Sequence, residues 1–204
     1  MKPLELSYYI INDFSSLSPD GITPLKLQKL LYYIYVWGIV SHNKVLEAEF
    51  EKWNFGPVNT EVYYHFKALG KSPISPDNSK KVKLSSADKK FVEFIVSNYI
   101  KYNAFTLSAM SHKDLPWQET PQNITISENS IKKFYNKLNF AKNFPLGKSK
   151  YFYPVETDLH YSFILDMPSS IGKKTFYFDS YNEYLQLEKQ SQKAFEKEIK
   201  EWLQ

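Results

Sequence analysis

Arginine and cysteine are both missing from the 204 residues, and the six glycines are scattered singly. Without cysteine the chain can form no disulfide, no thiolate nucleophile and no Cys-based zinc site. Without arginine it lacks the side chain best suited to bidentate guanine contacts, phosphate forks and arginine fingers, which argues against a sequence-reading DNA binder. Single glycines cannot build the phosphate-cradling loop of a nucleotide-binding enzyme. Long hydrophobic runs are also lacking: the apolar stretches are short and polar-flanked, so neither a bilayer span nor a membrane partner is expected. The opening Met1-Lys2-Pro3-Leu4-Glu5 has neither the apolar run nor the small-residue cleavage site of a signal peptide, and the expected location is the cytoplasm.

What is present is a globular composition, 43% hydrophobic and 17% aromatic, with a mild formal charge of +4 carried entirely on lysine. That length suffices for one good core with a small appendage. The stretch from Ile22 to Val58 is the one around which the chain is organised. Thr23 can cap a helix through its hydroxyl, and Pro24 falls on the first helical position, where its missing N–H is harmless. Leu27, Leu30, Leu31 and Ile34 follow as one apolar stripe, with Lys26 and Lys29 off it. Tyr32, Tyr33, Tyr35 and Trp37 make the second half apolar nearly all round, as in a helix at the centre of its domain. The helix should fail between Gly38 and Asn43.

Around it, the spacing predicts helices over Pro3–Leu17, from Asn59 or Thr60 to Leu69, from Ser85 or Ser86 through Tyr102, and from Ser127 along Ile131, Phe134, Tyr135 and Leu138. A short helix should end near Ser111, with Pro116 enforcing an extended approach to Trp117. Val45–Trp53 reads as a short extended segment, and Gly56-Pro57 as a turn. Beyond Asn139 the character changes. Tyr151–Val155, His160–Leu165 and Lys174–Asp179 read as strands, and Tyr184–Gln204 as a charged helix with Leu187, Phe195, Ile199 and Trp202 along one side. The fold class is therefore α+β. A mainly helical core domain over 1–140 precedes a small antiparallel β-containing C-terminal region over 141–204, packed on the core.

Three groups invite a chemical reading. Glu61 and His65, four residues apart on a helix, could share a metal, but a third ligand is missing and a surface pair is the plainer reading. His112 beside Asp114 suggests acid–base work. The alternative has His112 and Trp117 pinning a loop to the core, and it is favoured because no serine or cysteine nucleophile stands at a suitable spacing. Lysines 80, 81, 83, 89 and 90 could face phosphates, yet no base-stacking residue stands nearby in sequence, so a solvated charge run is the simpler account. No catalytic residue, metal or cofactor is expected.

Thr23-Pro24-Leu25-Lys26-Leu27-Gln28-Lys29-Leu30-Leu31-Tyr32 resembles the T-x-x-K-L-Q-K-L-L-Y signature of the Panacea domain family, whose named member is the SocA antitoxin. Trp53-Asn54-Phe55-Gly56-Pro57-Val58 resembles its W-x-x-G-P-V element. Leu107-Ser108, Ser111-His112 and Pro116-Trp117 resemble its later L-S, S/T-H and P-W pairs. The resemblance covers roughly residues 1–140; it departs at Ile34-Tyr35-Val36, where small and polar residues are usual. It implies a mostly helical antitoxin without enzymatic activity, whose partner is a cognate protein toxin, neutralised by direct binding or by delivery to a protease. It assigns no role to Thr23, Lys26, Leu27, Lys29, Leu30, Trp53, Gly56, Pro57, His112, Pro116 or Trp117, whose pattern capping, packing and a tight turn can explain. A lysine-mediated nucleic-acid binder or autoregulatory protein is the alternative. Partner contacts are expected on the aromatic-rich C-terminal region, at Tyr151, Tyr153, Tyr161, Tyr177, Tyr181, Tyr184 and Trp202, because specificity commonly sits on variable appendages over a rigid scaffold.

Overall fold

In the computed structural model, residues 1–156 and 177–202 are described, with the side chains of 192 and 194–202 left aside. The chain divides into two compact units, Met1–Lys137 and Leu138–Gln204. The protein is a mainly helical α+β fold. Among the described residues, no helix is long and apolar enough to cross a membrane.

The first unit is built around α2, Pro24–Ser41. Thr23 accepts from Lys26 N at its start, and His42 closes it in the left-handed conformation. Gly38 near its end lets the following chain fold back tightly, since a Cβ there would lie 2.9 Å from Asn43 O. Helices α1 (Pro3–Phe14), α3 (Thr60–Phe66), α4 (Ser86–Tyr99), α5 (Ala104–His112) and α7 (Glu128–Tyr135) all contact α2. Short 3-10 turns extend α1 to Leu17 and α3 to Leu69. Capping by Asn59, Ser85, Asn103 and Ser127 starts α3, α4, α5 and α7, each side chain satisfying an amide that has no partner inside the helix.

Surrounded in this way, α2 buries every residue from Lys26 to Ile39. Leu27, Leu30 and Leu31 are fully buried, and Tyr33 stacks on Tyr99 with ring centres 4.1 Å apart. Trp37 Nε1 donates to Tyr99 Oη at 2.8 Å, which satisfies the indole inside an apolar core. Leu30→Ala should therefore cost about 2–5 kcal/mol, read as a lowered urea midpoint. Lys26 and Lys29, which lie off the stripe in sequence, are buried as well.

Among the described residues, the paired strands lie in this first unit. Strands β1 (Glu51–Trp53) and β2 (Gly56–Val58) form an antiparallel hairpin in which Trp53 faces Gly56. The stretch 124–126 runs along the other edge of β1 through a bridge between Glu51 and Thr125, with Ile126 N donating to Phe50 O at 2.8 Å and Lys52 N to Ile124 O at 3.0 Å. The expected turn at Gly56-Pro57 is corrected: Asn54 and Phe55 form the turn, and Gly56-Pro57 belong to the buried strand after it.

Pro116 is the other correction. It sits in the first turn of α6 (Leu115–Glu119), not in an extended approach. First-turn amides have no helical acceptor, so proline costs nothing there.

In the second unit, a 3-10 segment over Asn139–Asn143 precedes Phe152, which exchanges backbone bonds with Phe178 at 2.7 and 2.8 Å as one antiparallel bridge. Helix α8 spans Tyr181–Trp202. The expected strand His160–Leu165 and the first residues of Lys174–Asp179 lie outside the described residues.

Candidate functional site

The motif residues converge on the hairpin. From α2, Lys29 Nζ donates to Pro57 O at 2.8 Å. One residue earlier, Gln28 makes a two-point clasp on Asn59, donating to its carbonyl at 3.0 Å and accepting from its amide at 2.8 Å. From α5, Ser108 Oγ donates to Phe55 O at 2.9 Å, and Ser111 Oγ to Ser108 O at 2.8 Å. From α6, Trp117 Nε1 reaches Trp53 O at 3.3 Å. Gly56 has a φ of +95° and leaves no room for a side chain: a Cβ would stand 2.6 Å from Ser111 Oγ and 2.7 Å from Lys29 Nζ. Three helices thus hold one hairpin by its backbone, at Trp53, Phe55, Pro57 and Asn59.

The electrostatics are those of a dry joint. Burial pulls Lys29 down to about 7, with no carboxylate beside it to restore the charge. Lys26, whose Nζ donates to Ser18 Oγ at 2.7 Å, is lowered to about 8 by burial, opposed by Asp20. His112 stacks on Trp117 with ring centres 4.2 Å apart, and Lys52 Nζ lies 4.6 Å from the same indole. Burial lowers the His112 pKa, the Lys29 and Lys52 charges lower it further, and the Asn54 backbone opposes them.

Asp114 does not join His112. It is buried in the tyrosine core and accepts a hydrogen bond from Tyr135 Oη, while desolvation raises its pKa to about 7. His65 shares a 2.8 Å hydrogen bond with Tyr8 Oη. Among the described residues, no group of three or more His, Asp or Glu is placed to hold a metal ion. Lys29 is wholly inaccessible, so its lowered pKa offers no nucleophile to a substrate.

What the joint presents is a surface. At the tip it holds, Phe55 is 66% exposed, and on α5, one turn before the Ser108 that clasps it, Phe105 is 68% exposed. Trp53 connects this edge to Tyr63 of α3, with ring centres 4.8 Å apart, and Tyr63 leads to Tyr64 at 5.4 Å. Leu115 at the start of α6 is exposed too. Sequence reasoning missed Phe55 and Phe105. For Phe55 the signal was there, because the tip of a two-residue hairpin cannot bury its own side chain.

The C-terminal aromatics are arranged differently. Tyr184 is buried, with its ring against Phe152 and Phe178. Tyr151, Tyr153 and Tyr181 are half-buried, and Tyr177 is 53% exposed. Tyr161 and the Trp202 side chain lie outside the described residues. Thr23 and Lys26 close the N-terminal end of α2, and Pro116 is buried in α6.

No curated protein and no solved structure matches this chain. Residues 27–118, from the second turn of α2 through the hairpin and α5 to α6, match the family model described as antitoxin SocA-like, Panacea domain.

Proposed function

We propose that this chain is the antitoxin of a toxin–antitoxin pair, a non-catalytic cytoplasmic protein that neutralises a cognate toxin by direct contact. The match over residues 27–118 supports a protein partner, and the observation that carries the reading further is the aromatic edge held out by the joint. Exposed Phe55 and Phe105 are large, rigid anchors of the kind that dominate interface energetics. The polar network behind them is buried, so the hairpin is presented preorganised and little ordering entropy opposes binding. In this reading Lys29, Gly56 and Ser108 position the anchors and touch no partner. The second unit adds specificity through Tyr177, the exposed member of its described tyrosines.

The test is co-expression with the product of the adjacent reading frame, followed by titration of the purified pair. The parent chain should rescue growth. Phe55→Ala and Phe105→Ala should each weaken binding by about 2 kcal/mol or more while leaving far-UV circular dichroism unchanged. Tyr177→Ala should cost less. If both phenylalanine variants bind and rescue like the parent, the contact lies elsewhere. Rescue that disappears when cellular proteases are inactivated would replace blockade by delivery for degradation.

A further inference from the structure

In sequence the loop lysines from Lys71 to Lys83 have no aromatic residue among them, but the folded chain brings aromatic rings to them. The segment from Lys71 to Leu84 is clamped across α1: Asn12 Nδ2 donates to Asp77 O at 3.0 Å, and Asp77 N donates to Asn12 Oδ1 at 2.8 Å. Lys80 Nζ comes to lie 6.0 Å from the centre of the Tyr8 ring. Tyr8 in turn stands edge-on to His65 of α3, with ring centres 5.9 Å apart. Next to His65, Tyr64 is 61% exposed and has Lys67 Nζ 4.8 Å from its ring centre. Three stretches thus gather Tyr8, His65 and Lys80, and Tyr64 with Lys67 continues the strip along α3.

The charge of this strip is lopsided. Between Lys67 and Lys90 there are seven lysines and two aspartates, in a chain whose whole formal charge is +4. Both aspartates are engaged locally: Asp77 Oδ1 accepts from Ser79 N at 3.0 Å and Ser79 Oγ at 2.6 Å, and Asp88 Oδ2 accepts from Ser85 Oγ at 2.7 Å. Lys89 pairs with Glu93 at 3.7 Å, whereas Lys71, Lys80, Lys81 and Lys83 are exposed along the loop. Glu5 and Asp13 on α1, Asp20 just after it and Glu61 on α3 are exposed carboxylates that oppose this field.

We propose that this strip binds single-stranded nucleic acid, with the loop lysines on backbone phosphates and the faces of Tyr64 and the Tyr8–His65 pair as base-stacking platforms. Lysine serves as a compact point charge for phosphate without reading sequence, so the lack of arginine is no obstacle. An aromatic face accepts any base, because every base has a π-face. Duplex would leave these rings unused, since its base faces are already stacked on one another. An acidic peptide would meet the lysines but gain nothing specific from the rings.

Fluorescence anisotropy of the full chain with labelled oligothymidylate and oligouridylate of about 12 nucleotides tests this. Salt is varied from about 50 to 200 mM, and the affinity should fall linearly on logarithmic axes. Replacing Lys80, Lys81 and Lys83 together by Gln should make that slope shallower by about 2. Tyr64→Ala should weaken binding about ten-fold and leave the slope unchanged. Phe105→Ala should bind like the parent. All these side chains are on the surface, and circular dichroism confirms that each variant is folded. No binding of either oligonucleotide at the lowest salt overturns the proposal, as does full affinity in Tyr64→Ala. Displacement of the oligonucleotide by polyglutamate at equal charge concentration also overturns it and assigns the strip to an acidic protein.

Discussion

Replacing Gly56 by alanine should destabilise the chain by about 2–6 kcal/mol, from backbone strain together with overpacking. The φ of +95° is one that L side chains rarely adopt, and the new Cβ would stand 2.6 Å from Ser111 Oγ and 2.7 Å from Lys29 Nζ. Neither neighbour can retreat cheaply. Ser111 Oγ is committed to Ser108 O and Lys29 Nζ to Pro57 O, and both residues are fully buried. Against a total stability of about 5–15 kcal/mol, this is a large fraction. Gly70→Ala is the control, because its φ of +57° is also positive but nothing lies within 4 Å of a Cβ there. Urea denaturation should show a much larger loss for Gly56→Ala than for Gly70→Ala. Equal losses would mean that strain alone matters and that the Lys29–Ser111 cradle has slack. Under the proposed function, a folded remnant of Gly56→Ala should also bind its partner poorly, since the tip carrying Phe55 would be displaced.

The second large effect is a stability minimum near neutral pH. Lys29 falls from its ordinary 10.5 to about 7 in the folded chain, by burial. Between those values the unfolded chain holds a proton that the folded chain has lost, so stability rises with pH, by about 5 kcal/mol over the whole window. Lys26, lowered to about 8, adds to the same alkaline rise. Asp114 runs the other way, raised by burial from 3.8 to about 7. Between those values the folded chain holds the extra proton, so stability falls as pH rises, by about 4 kcal/mol. The two slopes meet near pH 7, where burying a charged lysine and a charged aspartate both oppose folding. Urea midpoints at pH 5, 7 and 9 should therefore be lowest at pH 7. Lys29→Met should flatten the rise from pH 7 to 9, and Asp114→Asn the fall from pH 5 to 7. An unchanged alkaline slope in Lys29→Met would show that the lysine reaches water in the native state.

Much of the fold was legible because it is local. Thr23, Asn59, Ser85 and Ser127 announce helix starts, since a side-chain oxygen two or three residues before an unpaired amide caps it wherever the helix later packs. The all-round apolar character of α2 identified it as the central element, and its neighbours surround it on all sides. Pro116 misled because proline is compatible both with an extended approach and with a first helical turn; only the packing of α6 against α7 selects the second. Gly56-Pro57 misled in the same way, since a positive-φ glycine can stand in a turn or just after one.

What the amino-acid sequence determined by itself is the longer helices, the caps at Thr23, Asn59, Ser85 and Ser127, and the exclusion of thiol, disulfide and arginine chemistry, all properties of residues a few positions apart. Tertiary structure alone decided that Lys26 and Lys29 would be buried, because a lysine's position off the apolar stripe matters only while that face meets water. It decided that Asp114 would face Tyr135 and not His112, a choice made by helices twenty residues apart. It also brought Tyr8 and His65 to Lys80, and held Phe55 outward beside α5. Each of these depends on distance through space between segments remote in sequence, which neither periodicity nor spacing along the chain encodes.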